Sequence, residues 1–243
     1  MGNDSQKQES RVNSQMTFPV VFIYCLFTCN LFFLACVSQK FNLVFVVDGS
    51  GSIEYQGRGN FQRSKDFIIE IVKSFNIGKD ETNVALVLYS SNAQIVFNLK
   101  KYYRLDNIVR AIQRMPYPNG RTKTGKALEE VRKHVFKGLK GDRKNVPKVV
   151  MVLTDGLSHD DVSGPARKLR DAGATIISLG VGCCYDEDEL KEMATDPDEK
   201  HVLEVSFSAL NDFKDVVREQ ICSGEFEVLS KVIPRFVPKL WCN

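Results

Sequence analysis

The sequence predicts a doubly wound α/β fold: a six-stranded, mostly parallel sheet with one antiparallel edge strand and with helices on both faces. Three observations support this prediction. Short runs of apolar, often β-branched residues show no alternation with polar residues, which is typical of strands buried on both faces. Segments with apolar residues at helical spacing separate most of these runs. One pair of runs is joined by a connection too short for a crossover helix, so that pair is expected to be antiparallel.

The first half of the domain contains three predicted strands and two predicted helices. The strand at 43–47 reads Leu-Val-Phe-Val-Val, and the helix at 63–75 carries Phe67, Ile68 and Ile71 at helical spacing. Strands at 84–89 and 95–99 are separated only by a turn at 90–93 and form the antiparallel pair. A helix at 105–115 ends where the loop 116–120, Pro-Tyr-Pro-Asn-Gly, begins.

The second half alternates helices and strands, as a parallel sheet requires. A helix at 124–136 precedes a strand at 149–153, and a second helix starts at Asp160 and Asp161, whose charges suit its dipole, and stops at Gly173. A strand at 176–181, a helix at 186–193, a strand at 201–205 and a helix at 209–221 complete the domain. Right-handed crossovers then place the carboxyl ends of the parallel strands along one edge.

The chain is interpreted as a leader, a domain and a tail. Residues 1–38 contain the apolar segment 18–37, with Lys7 and Arg11 upstream, and are interpreted as a cleaved signal peptide, with an uncleaved signal anchor as the alternative. In both cases we expect the following residues to lie outside the cell, as a secreted matrix protein or as a single-pass type II membrane protein. Residues 41–222 form the domain. Residues 223–243 lack helical or strand periodicity and are interpreted as a tail or linker.

Charge argues against nucleic acid as a partner. The formal net charge is +3, and no basic run is interleaved with aromatic residues. Contact with a membrane is expected only if the leader is an uncleaved anchor.

The cysteines predict disulfides beyond the leader. Cys183 and Cys184 are adjacent and seldom bond each other, because neighbouring Cα atoms are too close for relaxed disulfide geometry. Cys222 and Cys242 are available for bridges within or between chains, so a disulfide-linked oligomer stays open. The connectivity does not follow from the sequence. The chain has no C-x-x-C spacing, which argues against a zinc site.

Oxygen-bearing side chains gather at the predicted edge of the sheet. Asp48, Ser50 and Ser52 follow the first strand at every second position, with glycines between them that let the backbone turn tightly. The loop before the helix at 124–136 offers Thr122 or Thr124, and Asp155 follows the strand at 149–153. Because the set contains neither sulfur nor imidazole, it favours magnesium, manganese or calcium over zinc or copper.

These motifs resemble a known family. The pattern Asp48-x-Ser50-x-Ser52, then Thr122, then Asp155 within Thr-Asp-Gly resembles the metal-ion-dependent adhesion site (MIDAS) of von Willebrand factor type A (VWA) domains. The resemblance covers residues 41–222. Segments 124–128, 158–166, 171–173 and 180–182 are similar to the extracellular-matrix branch, which comprises matrilins, cochlin and the non-fibrillar collagens.

The resemblance implies a Rossmann-like VWA fold and a role for each site residue. Ser50, Ser52 and Thr122 would bind Mg²⁺ directly, with Mn²⁺ or Ca²⁺ as alternatives, and Asp48 and Asp155 would act mostly through ordered water or switch to direct contact. Neutral hydroxyl groups leave a dication under-neutralised, so it keeps its attraction for an acidic group from outside. Thr124 is interpreted as the cap of its helix.

The same resemblance bears on the cysteine that ends the domain. Cys222 is similar to the cysteine that closes domains of this branch. The usual partner of that cysteine lies just before the first strand, where this chain offers only Cys36.

Particular residues argue against two classes of enzyme. A dinucleotide-binding loop carries a third glycine where this chain has Glu54. A phosphatase with Asp48 as its nucleophile needs a second carboxylate two residues on as general acid, where this chain has Ser50. No serine or cysteine has histidine and acid partners at an interpretable spacing. We therefore expect no enzymatic activity.

The sequence predicts a secreted adhesion module. It would bind an extracellular matrix protein, such as a collagen, when an acidic residue of the partner reaches the cation. The alternative is a structural assembly module, in which the cation stabilises the fold and Cys222 and Cys242 link chains.

Overall fold

The computed structural model describes residues 40–136, 143 and 145–222, all of which belong to one compact unit. In this part of the chain, six strands form a single sheet in the order β3-β2-β1-β4-β5-β6. All neighbouring pairs are parallel except β2 and β3, which are antiparallel. The predicted fold class and its one antiparallel edge strand are therefore confirmed.

The elements follow the alternation that the sequence predicts. In chain order they are β1 (Asn42–Asp48), α1 (Gly51–Tyr55), α2 (Asn60–Lys73), β2 (Asn83–Tyr89), β3 (Ala93–Phe97), α3 (Leu105–Gln113), α4 (Thr124–Glu130) with a π-helical turn (Val131–Val135), β4 (Lys148–Gly156), α5 (Ser163–Asp171), β5 (Ala174–Cys184), α6 (Glu187–Met193), α7 (Asp198–His201), β6 (Val202–Val205) and α8 (Leu210–Cys222).

The core has two halves, one on each face of the sheet. Leu43, Phe45 and Val47 of β1 pack in the half that contains α2, α3 and α8. Val44 and Val46 pack in the half that contains α4, α5 and α6. Since successive strand residues point to opposite faces, a strand buried on both sides must be apolar at every position. This explains the unbroken apolar run in β1.

Several predicted boundaries were wrong. The short helices α1 and α7 were not predicted, and α7 moves the start of the last strand from His201 to Val202. Helix α2 begins earlier than residue 63 because the Glu54 carboxylate accepts hydrogen bonds from the backbone N–H groups of Gly59 at 2.7 Å and Phe61 at 2.9 Å. These donors are among those that a helix start leaves unpaired.

The helix assigned to Asp160 and Asp161 begins instead at Ser163. Asp161 precedes it and accepts a hydrogen bond from the N–H of Gly164 at 3.3 Å. The predicted stop is confirmed, because Gly173 follows the helix with a left-handed φ of 78°.

The cysteine predictions are partly tested. Cys222 is disulfide-bonded, and its partner is not among the described cysteines, so the expected pairing with Cys36 lies outside the described residues. Cys183 and Cys184 are exposed and form no disulfide. The leader at 1–38 and the tail at 223–243, with Cys242, also lie outside the described part. Among the residues that are described, no helix is long and apolar enough to cross a membrane.

Candidate metal centre

Three loops meet at the carboxyl edge of the sheet. We call residues 49–52 the first loop, 116–123 the second loop and 157–162 the third loop. The first loop follows β1, and the third follows β4, its neighbour in the sheet. The second loop leads into α4 and joins the first through a bridge between Ser50 and Gly120 and a 2.9 Å hydrogen bond from Gly51 N to Gly120 O.

The first loop and Asp155 form a compact oxygen cluster. The Ser50 and Ser52 hydroxyl oxygens are 2.9 Å apart. Asp155 Oδ1 accepts hydrogen bonds from Ser52 Oγ at 2.8 Å and from Ser50 Oγ at 3.4 Å. Helix α1 begins at Gly51, within the loop, and its first turn carries Ser52 towards the carboxylate. Three of the five predicted site residues are therefore in direct contact.

Asp48 lies beneath this cluster and orients it. Its Oδ1 accepts a 2.7 Å hydrogen bond from the backbone N–H of Ser50. Its Oδ2 accepts hydrogen bonds from Thr154 Oγ1 at 3.1 Å and from the Tyr89 hydroxyl at 3.2 Å. Asp48 is 1% exposed, so these donors replace the water that the carboxylate loses on burial.

Thr122 is held in the second loop by a backbone contact with the third loop. It is buried, and its carbonyl oxygen accepts a 2.8 Å hydrogen bond from the N–H of His159 in the third loop. The next residue, Lys123, donates its N–H to Ser90 O at 3.1 Å. These bonds fix the second loop between two neighbours. Within the described residues, the Thr122 hydroxyl forms no hydrogen bond with the other four predicted site residues.

The prediction that Thr124 caps its helix was wrong. Thr124 lies in the first turn of α4, and its Oγ1 donates to the buried Tyr89 hydroxyl at 3.2 Å. The open N–H groups of α4 are satisfied by the third loop: Thr124 N donates to Ser158 Oγ at 3.1 Å, and Gly125 N donates to Asp160 Oδ1 at 2.9 Å. The cap thus comes from two residues that are distant in sequence, which no local spacing reveals.

Gln56 is a site residue that the sequence analysis missed. Its Nε2 donates a 2.7 Å hydrogen bond to Asp155 Oδ2, and its Oε1 accepts a 3.1 Å bond from the N–H of Cys183. Gln56 therefore holds the outer oxygen of Asp155 and connects it to the end of β5. No motif marks this residue, because it follows the short helix that was not predicted.

Burial dominates the electrostatics of the centre. The pKa of the Asp155 carboxyl is raised to about 7, mainly by burial and then by the charge of Asp48, against the lowering effect of the two serine hydroxyls. Burial likewise raises the pKa of Asp48, although the N–H and hydroxyl donors oppose the rise. Neither carboxylate forms an ion pair with a described lysine, arginine or histidine. Two buried acids without a protein counter-charge favour a bound cation.

The donor set fits a hard dication. Hydroxyl and carboxylate oxygens are the ligands that magnesium, manganese and calcium prefer. In the described part of the chain, no three His, Cys, Asp or Glu side chains converge as a metal-binding group. The centre instead combines two carboxylates with serine and threonine hydroxyls.

A family comparison agrees with this geometry. A model described as the von Willebrand factor type A domain matches residues 42–218, from the start of β1 into α8. The chain belongs to the VWA family. The resemblance stated from the motifs is thereby confirmed.

Relatives of this VWA chain include matrix proteins. The collagen alpha-1(XII) chain of Notophthalmus viridescens is 34% identical over 193 residues, which are 79% of this chain and 20% of that protein. Matrilin-1 of Gallus gallus is 34% identical over 200 residues, 82% of this chain and 40% of that protein. The chain thus spans less than half the length of these relatives.

A solved structure with a similar VWA fold carries a metal. Proximal thread matrix protein 1 from the mussel byssus has been solved with a zinc-occupied MIDAS motif. It superposes with a TM-score of 0.72 at 30% identity, covering 76% of this chain and 48% of that chain. In that relative, a divalent metal occupies the motif.

Proposed function

We propose that the domain is a secreted extracellular-matrix adhesion module that binds a protein through a divalent cation at Asp48, Ser50, Ser52, Thr122 and Asp155. Mg²⁺ is the proposed cation, with Mn²⁺ or Ca²⁺ as alternatives. The observation that carries the proposal is the contact of Ser50, Ser52 and Asp155 through hydroxyl and carboxylate oxygens, where neither Asp48 nor Asp155 forms an ion pair with a described basic residue. Secretion rests on the interpretation of residues 1–38 as a signal peptide.

The residues would share the work of holding the cation. Ser50, Ser52 and Thr122 supply neutral oxygens, while Asp48 orients Ser50 through its backbone N–H. Gln56 keeps one oxygen of Asp155 turned away from the serines. When bound, the dication would supply an attraction for a carboxylate of the partner, because neutral ligands do not cancel its charge. This is binding chemistry, and we propose no reaction.

The proposed partner is an extracellular matrix protein that presents an acidic residue, such as a collagen. Support comes from the relatives, whose names are those of collagen and matrilin chains and of a thread matrix protein. The alternative assembly role is less well supported. In that role the cation stabilises the fold and Cys222 and Cys242 link chains, but Cys222 is already disulfide-bonded in the single chain, and Cys242 lies outside the described residues.

Calorimetry and solid-phase binding test the proposal together. The protein is titrated with Mg²⁺, Mn²⁺, Ca²⁺ and Zn²⁺, and it is then tested against immobilised collagens and other matrix proteins with magnesium or with chelator. We expect a cation to bind, and at least one matrix protein to be retained only in its presence. Ser52→Ala and Asp155→Asn should weaken both, because each removes an oxygen of the cluster.

A second serine pair provides the matched control. Ser206 and Ser208 also form a Ser-x-Ser pair, with their hydroxyl oxygens 3.0 Å apart on the surface. Ser208→Ala should leave cation and partner binding unchanged. Absence of cation uptake by the folded wild-type protein, or partner binding that persists in chelator, would refute the proposal.

A further inference from the structure

Two large apolar side chains are exposed in the described part of the chain. Each lies two or three residues after a predicted site residue in the sequence. Tyr55 is 93% exposed and Leu157 is 57% exposed, and no other large hydrophobic residue among those described is exposed. Apolar residues scattered over a surface need no explanation. A pair confined to the edge of one candidate site does, because such residues mark interaction surfaces.

The backbone places both residues beside the oxygen cluster. Tyr55 lies three residues after Ser52 in α1, so the two occupy the same side of the helix. Leu157 lies two residues after Asp155. The intervening Gly156 approaches the first loop closely: a Cβ atom there would lie 3.8 Å from Ser52 Oγ. Tyr55 and Leu157 therefore extend from the two segments that form the cluster.

We propose that Tyr55 and Leu157 form an apolar rim that binds a large aliphatic or aromatic side chain next to the acidic residue of the partner. This inference rests on the proposed function and adds the chemistry of the recognised segment. Every protein surface carries acidic residues, so recognition of an acid by a cation does not by itself select one partner from many. The apolar rim supplies the discrimination that the cation lacks.

The second loop limits the charge of the recognised segment. It brings Arg121, which is exposed, and the partly exposed Lys123 to the same centre. Neither residue forms an ion pair within the described residues. A segment with a lysine or arginine beside its acid would meet these charges unfavourably. The preferred partner segment is therefore acidic and apolar, without basic residues.

Synthetic peptides provide the probe. An array carries peptides with one central glutamate, whose neighbours are leucine or phenylalanine in one set, serine in a second and lysine in a third. The array is incubated with the full chain in magnesium and in chelator. Covering an apolar side chain of this size corresponds to about a tenfold gain in affinity, so the leucine and phenylalanine set should bind about tenfold better than the serine set.

Variants assign the preference to the rim. The double variant Tyr55→Ser, Leu157→Ser should bind magnesium like the wild type but lose most of the preference for apolar neighbours. Tyr55→Phe with Leu157→Met should retain it, because both side chains stay apolar. Lys168→Ser, an exposed change on α5 away from the centre, should change neither property.

The outcomes separate this inference from the proposed function. Magnesium-dependent binding without an apolar preference, or with a preference that survives the double serine variant, would overturn the rim and leave the adhesion site intact. Failure of every glutamate peptide to bind in magnesium would overturn both. Sedimentation velocity tests whether a second copy of the chain, rather than a matrix partner, binds at the rim. A wild-type dimer that the double serine variant abolishes would assign the rim to a second copy of the chain.

Discussion

The first and second loops lie side by side at the candidate centre, yet they are held in place differently. In the first loop, Asp48 accepts a hydrogen bond from Ser50 N, two residues along the chain. The second loop depends on partners far away in sequence: Asn119 N donates to Gly49 O, and Lys123 N donates to Ser90 O. The first loop therefore has a bond within its own motif beside its long-range bonds to Gly120 and Asp155, whereas the bonds named for the second loop all reach distant residues.

This difference explains which residues tolerate change. A motif that shapes itself survives modest movement of its neighbours, because its hydrogen bonds move with it. A loop held from outside moves whenever its supports do. We therefore expect the second loop and the start of α4 to be the more sensitive region.

The largest expected effect is at Gly125, where α4 and the third loop touch. A Cβ atom at this position would overlap the carbonyl oxygen of Asp161. Gly125→Ala should lower the free energy of unfolding by about 3 kcal/mol, because backbone must move to relieve the overlap. Urea denaturation measures this loss. Magnesium affinity should fall as well, since Thr122 lies just before the displaced helix.

Gly173→Ala is the control for that substitution. Gly173 has a φ of 78°, and a Cβ atom there would meet nothing within 4 Å. The change therefore costs only the left-handed backbone conformation, about 1 kcal/mol. If Gly125→Ala lowers the free energy of unfolding by no more than Gly173→Ala does, the third loop moves without strain. The start of α4 and the second loop are then not held in place by the third loop.

An intermediate effect is expected at Tyr89, which links the two regions. Its hydroxyl group lies 3.2 Å from both Asp48 Oδ2 and Thr124 Oγ1 and is fully buried. Tyr89→Phe should lower the free energy of unfolding by about 1.5 kcal/mol, since both buried partners lose a hydrogen bond. Thermal and urea unfolding of the purified variant provide the measurement.

Tyr102→Phe is the matched control for Tyr89→Phe. Tyr102 is partly exposed and packs its ring edge against Phe97, with centroids 5.5 Å apart, and this contact survives loss of the hydroxyl. Its effect should stay within about 0.5 kcal/mol, as for most surface substitutions. Equal stabilities for the two variants would show that the Tyr89 hydroxyl does not join the regions.

The same contrast separates what the sequence predicts from what it does not. The buried strands are readable because burial on both faces requires apolar residues at every position, as in β1. Asp48, Ser50 and Ser52 are readable because their spacing lies within one loop. Thr122 was assigned to the site through its resemblance to a family pattern, and its backbone contact is with His159.

The residues that were missed act over long distances. Asp160 was assigned to the helix that follows it, but it caps α4, and its partner Gly125 lies 35 positions earlier. Gln56, which reaches Asp155, directly follows a helix too short to show a period. Tyr89 offered one usable signal: a hydroxyl at the end of a buried strand needs a partner, which indicates a polar network nearby.

The smallest expected effect concerns the third loop, which Glu189 of α6 anchors. Both carboxylate oxygens of Glu189 accept from the N–H of Ser158, at 2.9 and 3.1 Å. Burial raises the pKa of Glu189 to about 7, with smaller contributions from Asp186 and other nearby acids. The folded protein therefore holds this proton more tightly than the unfolded chain, whose pKa is 4.5.

Because the pKa of Glu189 is higher in the folded protein than in the unfolded chain, stability depends on pH. The stabilising effect of protonated Glu189 is complete below about pH 4.5 and is lost as the pH rises to about 7. Glu189→Gln should therefore gain stability relative to the wild type between about pH 5 and about pH 8, by no more than about 1 kcal/mol because the side chain is only half-buried. Urea titrations across this range test it, with the exposed Glu199→Gln on α7 as the control. A constant difference between wild type and Glu189→Gln would mean that Glu189 stays charged. The third loop would then be anchored by a full carboxylate at every pH tested.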